Sequence, residues 1–159
     1  MELTTADIMT KNVKSARLND SVAEVARVLS DNEISAVPVC DDKGAVVGML
    51  SEGDLLRPVG KASAVKRAWW LNLLAEGTDL APSFLECIRV ENRRAHELMI
   101  SPAITTTPQA SIPEVADLLV NHHIKRLPVI EDGKLVGIVS RADLVRALAK
   151  TPDAIAEAL

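Results

Sequence analysis

The chain is poor in aromatic residues: one Phe, two Trp and no Tyr in 159 residues, or 2% aromatic against 48% hydrophobic. A core assembled from this composition must be aliphatic, made of Val, Leu, Ile and Ala. Cysteine is also scarce. Cys40 and Cys87 stand alone in different contexts, which excludes a disulfide framework and reads as two small core residues in a reducing cytoplasm. With three histidines, two of them adjacent at His122–His123, no metal site is expected, because neighbouring helical positions point to different faces. No apolar run reaches the roughly 18 residues of a membrane span. The start, Met1–Glu2–Leu3–Thr4–Thr5, lacks the basic and apolar regions of a secretory signal, so the expected location is cytoplasmic. A net charge of −4 and a pI near 5.4 argue against a nucleic-acid surface. There is no Gly-x-Ser-x-Gly elbow and no Cys–His pair close in sequence, so no catalytic constellation is found and the protein reads as a non-enzyme.

What the chain does have is an internal repeat. Ile34–Ser35–Ala36–Val37–Pro38–Val39 runs through Gly44 to Gly48–Met49–Leu50–Ser51–Glu52–Gly53–Asp54–Leu55. Ile124–Lys125–Arg126–Leu127–Pro128–Val129 runs through Gly133 to Gly137–Ile138–Val139–Ser140–Arg141–Ala142–Asp143–Leu144. Matching 9–42 to 99–132 and 44–57 to 133–146 leaves 17 identical pairs, Met9/Met99 and Arg57/Arg146 among them. A repeat fixes architecture before other signals do. Each copy, at about 50 residues, is too short for a generous core of its own, so the two are expected to pack together about a pseudo-twofold axis with ligand clefts between equivalent faces.

Each copy reads as strand, helix, strand, strand, helix, an α/β (α+β) arrangement. Val13–Leu18 and Ile104–Thr107 suit extended segments. Ser21-x-x-Glu24 and Ser111-x-x-Glu114 are capping boxes that open amphipathic helices. Val37–Cys40 and Leu127–Ile130 are apolar strands, turned at Gly44 and Gly133 into returning strands Val46–Leu50 and Leu135–Val139. A helix then starts at Ser51 and at Ser140. Between the copies, Pro58–Arg94 breaks the symmetry. Helices are predicted over 63–76 and 80–98, and the segment holds six basic and four acidic residues. Its Trp69–Trp70 pair is either an anchor of this linker on the repeats or a protein-contact surface. The segmentation is therefore 6–57, 58–94, 95–150 and a tail at 151–159. The tail resembles the start of another helix and leaves open a continuation into a longer protein.

Gly48-x-x-Ser51-x-x-Asp54 and Gly137-x-x-Ser140-x-x-Asp143 sit where a strand meets a helix. The first-turn N–H groups and the helix dipole prepare such a place for phosphate. A serine hydroxyl there can donate to phosphate oxygen, and an aspartate one turn on can accept from a ribose diol. The same Ser-x-x-Asp is equally a capping box.

These motifs, together with Asp7–Ile8–Met9–Thr10 and Glu97–Leu98–Met99, resemble a tandem pair of cystathionine-β-synthase (CBS) motifs, the Bateman module. The resemblance covers about Ala6–Arg57 and Ala95–Lys150. Ile100, where the family pattern has Thr, and the long linker depart from it. The resemblance implies two β-α-β-β-α repeats, a regulatory signal-transduction role without catalysis, and adenosine nucleotides (AMP, ADP or ATP) as ligands. NAD and S-adenosylmethionine are further candidates, and no cofactor is required. It implies one cleft combining Ser140 and Asp143 with Val13, Ile34, Ser35 and Ala36. A second would combine Ser51 and Asp54 with Ala103, Ile124, Lys125 and Arg126. Arg126 would clamp phosphate, by fork geometry and fixed charge, or remain a solvated strand-end cation. Its counterpart Ala36 cannot, and Arg141 would compensate in the other cleft. Similar modules pair into discs of four motifs, so a homodimer is expected, with a downstream protein reading a ligand-dependent shift between repeats. The rival reading is a ligand-independent dimerisation or adaptor module.

Overall fold

The computed structural model describes residues 2–56 and 93–153. The linker helix predicted over 63–76, Trp69, Trp70, Cys87, Arg57 and residues 154–159 lie outside them. So do all three aromatic residues of the chain, and the described core is accordingly aliphatic.

The first repeat holds helix α1 (Thr5–Ile8), strand β1 (Ala16–Arg17), helix α2 (Val22–Asp31), strands β2 (Ala36–Cys40) and β3 (Val46–Ser51), and the short helix α3 (Glu52–Leu56). The second holds α4 (Ala95–Leu98), α5 (Ile112–Asn121), β4 (Arg126–Glu131), β5 (Lys134–Ser140) and α6 (Arg141–Lys150). Both amphipathic helices start at the expected capping boxes. Ser21 Oγ accepts from the Glu24 N–H at 3.1 Å, and the Glu24 carboxylate accepts from the Ser21 N–H at 2.9 Å. Ser111 and Glu114 repeat the exchange at 3.4 and 2.7 Å. Each box satisfies two first-turn donors and is worth about 1 kcal/mol.

The hairpins β2–β3 and β4–β5 share one register. Val39 faces Gly48 and Val129 faces Gly137, and both ladders shift at the following residue. Gly44 and Gly133 turn them at φ +82° and +76°, a region where a side chain is strained. β1 runs parallel to β2. The expected strand at 104–107 shrinks to a single bridge between Thr106 and Val129, in which Thr106 exchanges hydrogen bonds with Pro128 O and Ile130 N. The expected strand at 13–18 shrinks likewise to two residues.

The repeats exchange their leading segments. Thr5 N and Ala6 N donate to Ala110 O and Pro108 O, each at 2.9 Å, and Thr10 and Ile138 bond each other through both backbone groups at 2.8 and 3.0 Å. The equivalents run the other way: Ala95 N to Asp20 O, His96 N to Leu18 O, and Ile100 with Met49 at 2.8 and 3.0 Å. This matched set is the pseudo-twofold expected from the repeat. The cores are shared accordingly. Ala95, Leu98 and Met99 complete the cluster around Val25, Leu29, Val37 and Leu50, while Ile8 and Met9 complete that around Val115, Leu119, Leu127 and Val139. The helix predicted through 80–98 does not run through Arg94. That residue is an extended N-cap bridged to Ser21, from which α4 starts afresh.

Candidate functional site

Gly48 and Gly137 owe their identity to the exchange. A Cβ on Gly48 would stand 2.6 Å from Met99 Sδ and 2.9 Å from Ile100 O, and one on Gly137 2.5 Å from Met9 Sδ. The missing side chain lets each lead-segment methionine lie flat on the opposite hairpin. That in turn sets the lead segments along the rims of two cavities between the repeats.

The larger cavity, about 860 Å³, brings Ser140 and Asp143 together with Val13, Ile34, Ser35 and Ala36. The smaller, about 350 Å³, brings Ser51 and Asp54 together with Ala103, Ile124, Lys125 and Arg126. Both volumes suit a small organic ligand. Twelve of the thirteen residues singled out from the sequence therefore lie on these two surfaces. The exception is Arg141. It is the first residue of α6 and turns outward, its Nε donating to Ile124 O at 3.0 Å, and it borders a separate hollow with Leu119, His123 and Leu144. The larger cavity is reached instead by Arg146, one turn beyond Asp143 on the same face, and by Arg126 from the other strand edge. Its signal in the sequence is its identity with Arg57 across the repeat. Lys14, Glu33 and Glu52 in the larger cavity, and Ile100, Pro102 and Ile104 in the smaller, were also not anticipated.

The Ser–Asp pairs form capping boxes. Asp143 Oδ2 accepts from the Ser140 N–H at 2.8 Å and from its hydroxyl at 2.9 Å. Asp54 Oδ2 accepts from the same two groups of Ser51, each at 2.9 Å. The aspartate N–H groups return bonds to the serine oxygens at 3.3 Å. The serine hydroxyl expected to donate to a phosphate is therefore committed to a carboxylate. The first amide of each turn is engaged as well, since Glu52 N donates to Ser35 O at 2.9 Å and Arg141 N to Lys125 O at 3.0 Å. Cationic side chains at the cavities supply the charge a phosphate needs. The aspartates are 4% and 6% exposed, held in place by these bonds. Asp143 Oδ1 accepts from Arg146 Nη2 at 3.0 Å, and that arginine is 68% exposed. The arginine end of the pair is open to solvent, which screens it, and the arginine can swing away when a ribose hydroxyl takes its place on the carboxylate.

Arg126, at the start of β4, has its guanidinium half-buried and donates to Ser35 Oγ of the other repeat at 2.7 Å. Burial pulls its pKa below the usual arginine value, and Glu52 nearby opposes that pull. It remains charged at any working pH. Among the described residues there is no cluster of three His, Cys, Asp or Glu side chains that could hold a metal, and no helix long and apolar enough to cross a membrane.

Two stretches of the chain, 6–61 and 95–150, match the CBS domain, and the protein belongs to the CBS family as a tandem pair. It is 34% identical over 155 residues to an uncharacterised protein, MJ1426 of Methanocaldococcus jannaschii, with 89% of each chain covered. Among solved structures, it is similar to the CBS domain of a CBS-domain-containing membrane protein from Sphaerobacter thermophilus. That match has a TM-score of 0.70 at 31% identity, covering 91% of this chain and 87% of the other. It is also similar to CBSX2 of Arabidopsis thaliana, solved in complex with AMP. Here the TM-score is 0.68 at 26% identity, covering 94% and 98% of the two chains.

Proposed function

We propose that the protein is a non-catalytic regulatory module that senses an adenosine nucleotide in the clefts between its repeats. The observation that carries this reading is the composite make-up of each cavity. One repeat supplies a rigidly capped aspartate, and the other supplies a strand edge led by an isoleucine, Ile34–Ala36 or Ile124–Arg126. The AMP complex of CBSX2, a relative of the same fold, supports the ligand class. In this reading the base lies between apolar side chains such as Val13 and Ile34, or Ile100 and Ile124. The backbone of the strand edge reads the base, the aspartate carboxylate accepts from the ribose diol, and phosphate turns toward Arg126, Lys125, Lys14 or Arg146. In this reading binding is the whole of the chemistry in the clefts. Calorimetric titration with AMP, ADP, ATP, NAD and S-adenosylmethionine tests it. Micromolar binding of at least one is expected, and no heat and no rise in melting temperature with any of them at millimolar concentration would overturn it.

A second reading, pairing of two copies, has its own observation. Val120 on α5 and Val145 on α6 are both 63% exposed, and Leu148 on α6 is 42% exposed. Closed twofold pairing is the commonest way to cover such faces. Light scattering should report a dimer at micromolar concentration that Val120→Glu with Val145→Glu converts to monomer. A wild type that is monomeric throughout removes this reading.

A further inference from the structure

Four residues border both cavities: Ser35, Ala36, Glu52 and Arg126. Only one of them, Arg126, is a cation. The repeat places Ala36 at its equivalent position, so this position supplies one guanidinium to the two clefts where a symmetric pair would supply two. Its position is central, at the start of β4, with Nη2 on Ser35 Oγ at 2.7 Å across the repeat boundary.

We infer that Arg126 is shared, serving the phosphate of a nucleotide in one cleft at a time, so that phosphorylated ligands compete across the two clefts whereas a neutral nucleoside does not. The inference rests on the nucleotide reading above and deepens it. A fixed fork geometry lets the guanidinium face one oxyanion in full. A second phosphate then meets a cation already neutralised, with Glu52 and the first phosphate adding negative charge around it. The first nucleotide to bind fixes the arginine, and the second cleft is left with the weaker cations at its mouth. Lys14 and Arg146 belong to the larger cavity alone and Lys125 to the smaller alone. They sort the phosphates but do not link the clefts. Coupling of this kind is reciprocal, whichever cleft fills first.

Calorimetric titrations of the intact chain with adenosine and with AMP at low salt separate the possibilities. Wild type should bind two adenosines with affinities that do not influence one another, and two AMP molecules with the second at least tenfold weaker than expected from the adenosine pair. Arg126→Gln keeps a donor for Ser35 and removes the charge. Its melting temperature shows that it is folded, and its two AMP affinities should be spaced as its own two adenosine affinities are, the AMP-specific gap being lost. Arg126→Lys, a flexible point charge, should show a smaller gap. AMP affinities spaced as the adenosine ones are, or a gap that survives in Arg126→Gln, would overturn the sharing and leave the nucleotide reading standing. Adenosine saturating at one equivalent would also overturn it, because a neutral ligand would then exclude the second. No binding of either compound would overturn the nucleotide reading and the sharing with it.

Discussion

Replacing Gly48 by alanine tests the exchange of lead segments directly. The new methyl would meet Met99 Sδ at 2.6 Å, Met99 Cγ at 3.0 Å and Ile100 O at 2.9 Å. The sulfur can move, because methionine has three rotatable bonds. The carbonyl cannot move freely, because Ile100 is tied to Met49 through its N and O at 2.8 and 3.0 Å. Overpacking of this kind costs about 1–3 kcal/mol, and removing a glycine from a strand returns about 0.5–1 kcal/mol. The net expectation for Gly48→Ala is a loss of about 1–2 kcal/mol. Gly137→Ala meets Met9 Sδ at 2.5 Å, but its nearest backbone atom, Thr10 O, is at 3.1 Å. Most of its clash is with a side chain that can swing away, so its loss should be smaller, about 1 kcal/mol or less by the same two terms. Urea denaturation measures both, read as a shift in midpoint at constant slope. Unfolding should remain a single transition, since each core contains residues from both repeats. A Gly48→Ala protein as stable as wild type would refute the reasoning, and so would Gly137→Ala proving the more damaging of the two.

Asp143→Ala should weaken adenosine binding in the larger cleft by about 1.5–3 kcal/mol while costing folding only about 1 kcal/mol for the lost cap. Unchanged adenosine affinity with a lowered melting temperature would leave the residue a capping role alone, and Asp54→Ala tests the smaller cleft in the same way. His123 sits at φ +53° after α5, where a non-glycine residue is strained by about 1–2 kcal/mol. Offset by the backbone entropy of glycine, His123→Gly should raise stability by about 0.5–1 kcal/mol in a urea titration, and a loss would refute the strain. The exposed Asp7 carboxyl is held below the usual carboxylate pKa by the Thr4 N–H and, to a lesser degree, its hydroxyl. A carboxyl lowered in the fold contributes stability above its unfolded pKa of about 3.9 and loses it as pH falls through the lower folded value. Asp7→Asn should therefore show a shallower loss of stability than wild type in melts taken below about pH 4, with parallel acid limbs as the refuting result.

The elements legible in the sequence were those whose cause is local. Ser21 with Glu24 and Ser111 with Glu114 announce helix starts because the bonds they make span three residues. Gly44 and Gly133 announce turns because their φ is positive whatever surrounds them. The cleft residues followed because a repeat places equivalent positions on equivalent faces. What stayed hidden depends on distant partners. Helices α1 and α4 have four residues each, too few to show a period, and they are held by carbonyls at Ala110, Pro108, Asp20 and Leu18. The break at Arg94 comes from its bridge to Ser21, 73 positions away, against a local sequence that favours continuing the helix. Arg141 was misplaced because its nearness to Ser140 in sequence says nothing about which way the first residue of a helix points.

Because each repeat is finished by a segment of the other, the clefts cannot work as jaws. Pulling the repeats apart would break eight backbone hydrogen bonds that run between the lead segments and the opposite repeat. At about 0.5–1.5 kcal/mol net apiece these amount to about 4–12 kcal/mol, comparable with the whole stability of a domain, before the two partly buried methionines are counted. A micromolar ligand supplies about 8 kcal/mol in total, and only the part that differs between two states can drive a change. The molecule behaves as a clasp that stays shut. A nucleotide would alter it through the orientation of Arg126 and the cations at the cleft mouths, and through small rotations of one hairpin against the other. A protein reading the signal would thus be reading charge and surface contour, with no gap opening for it to enter.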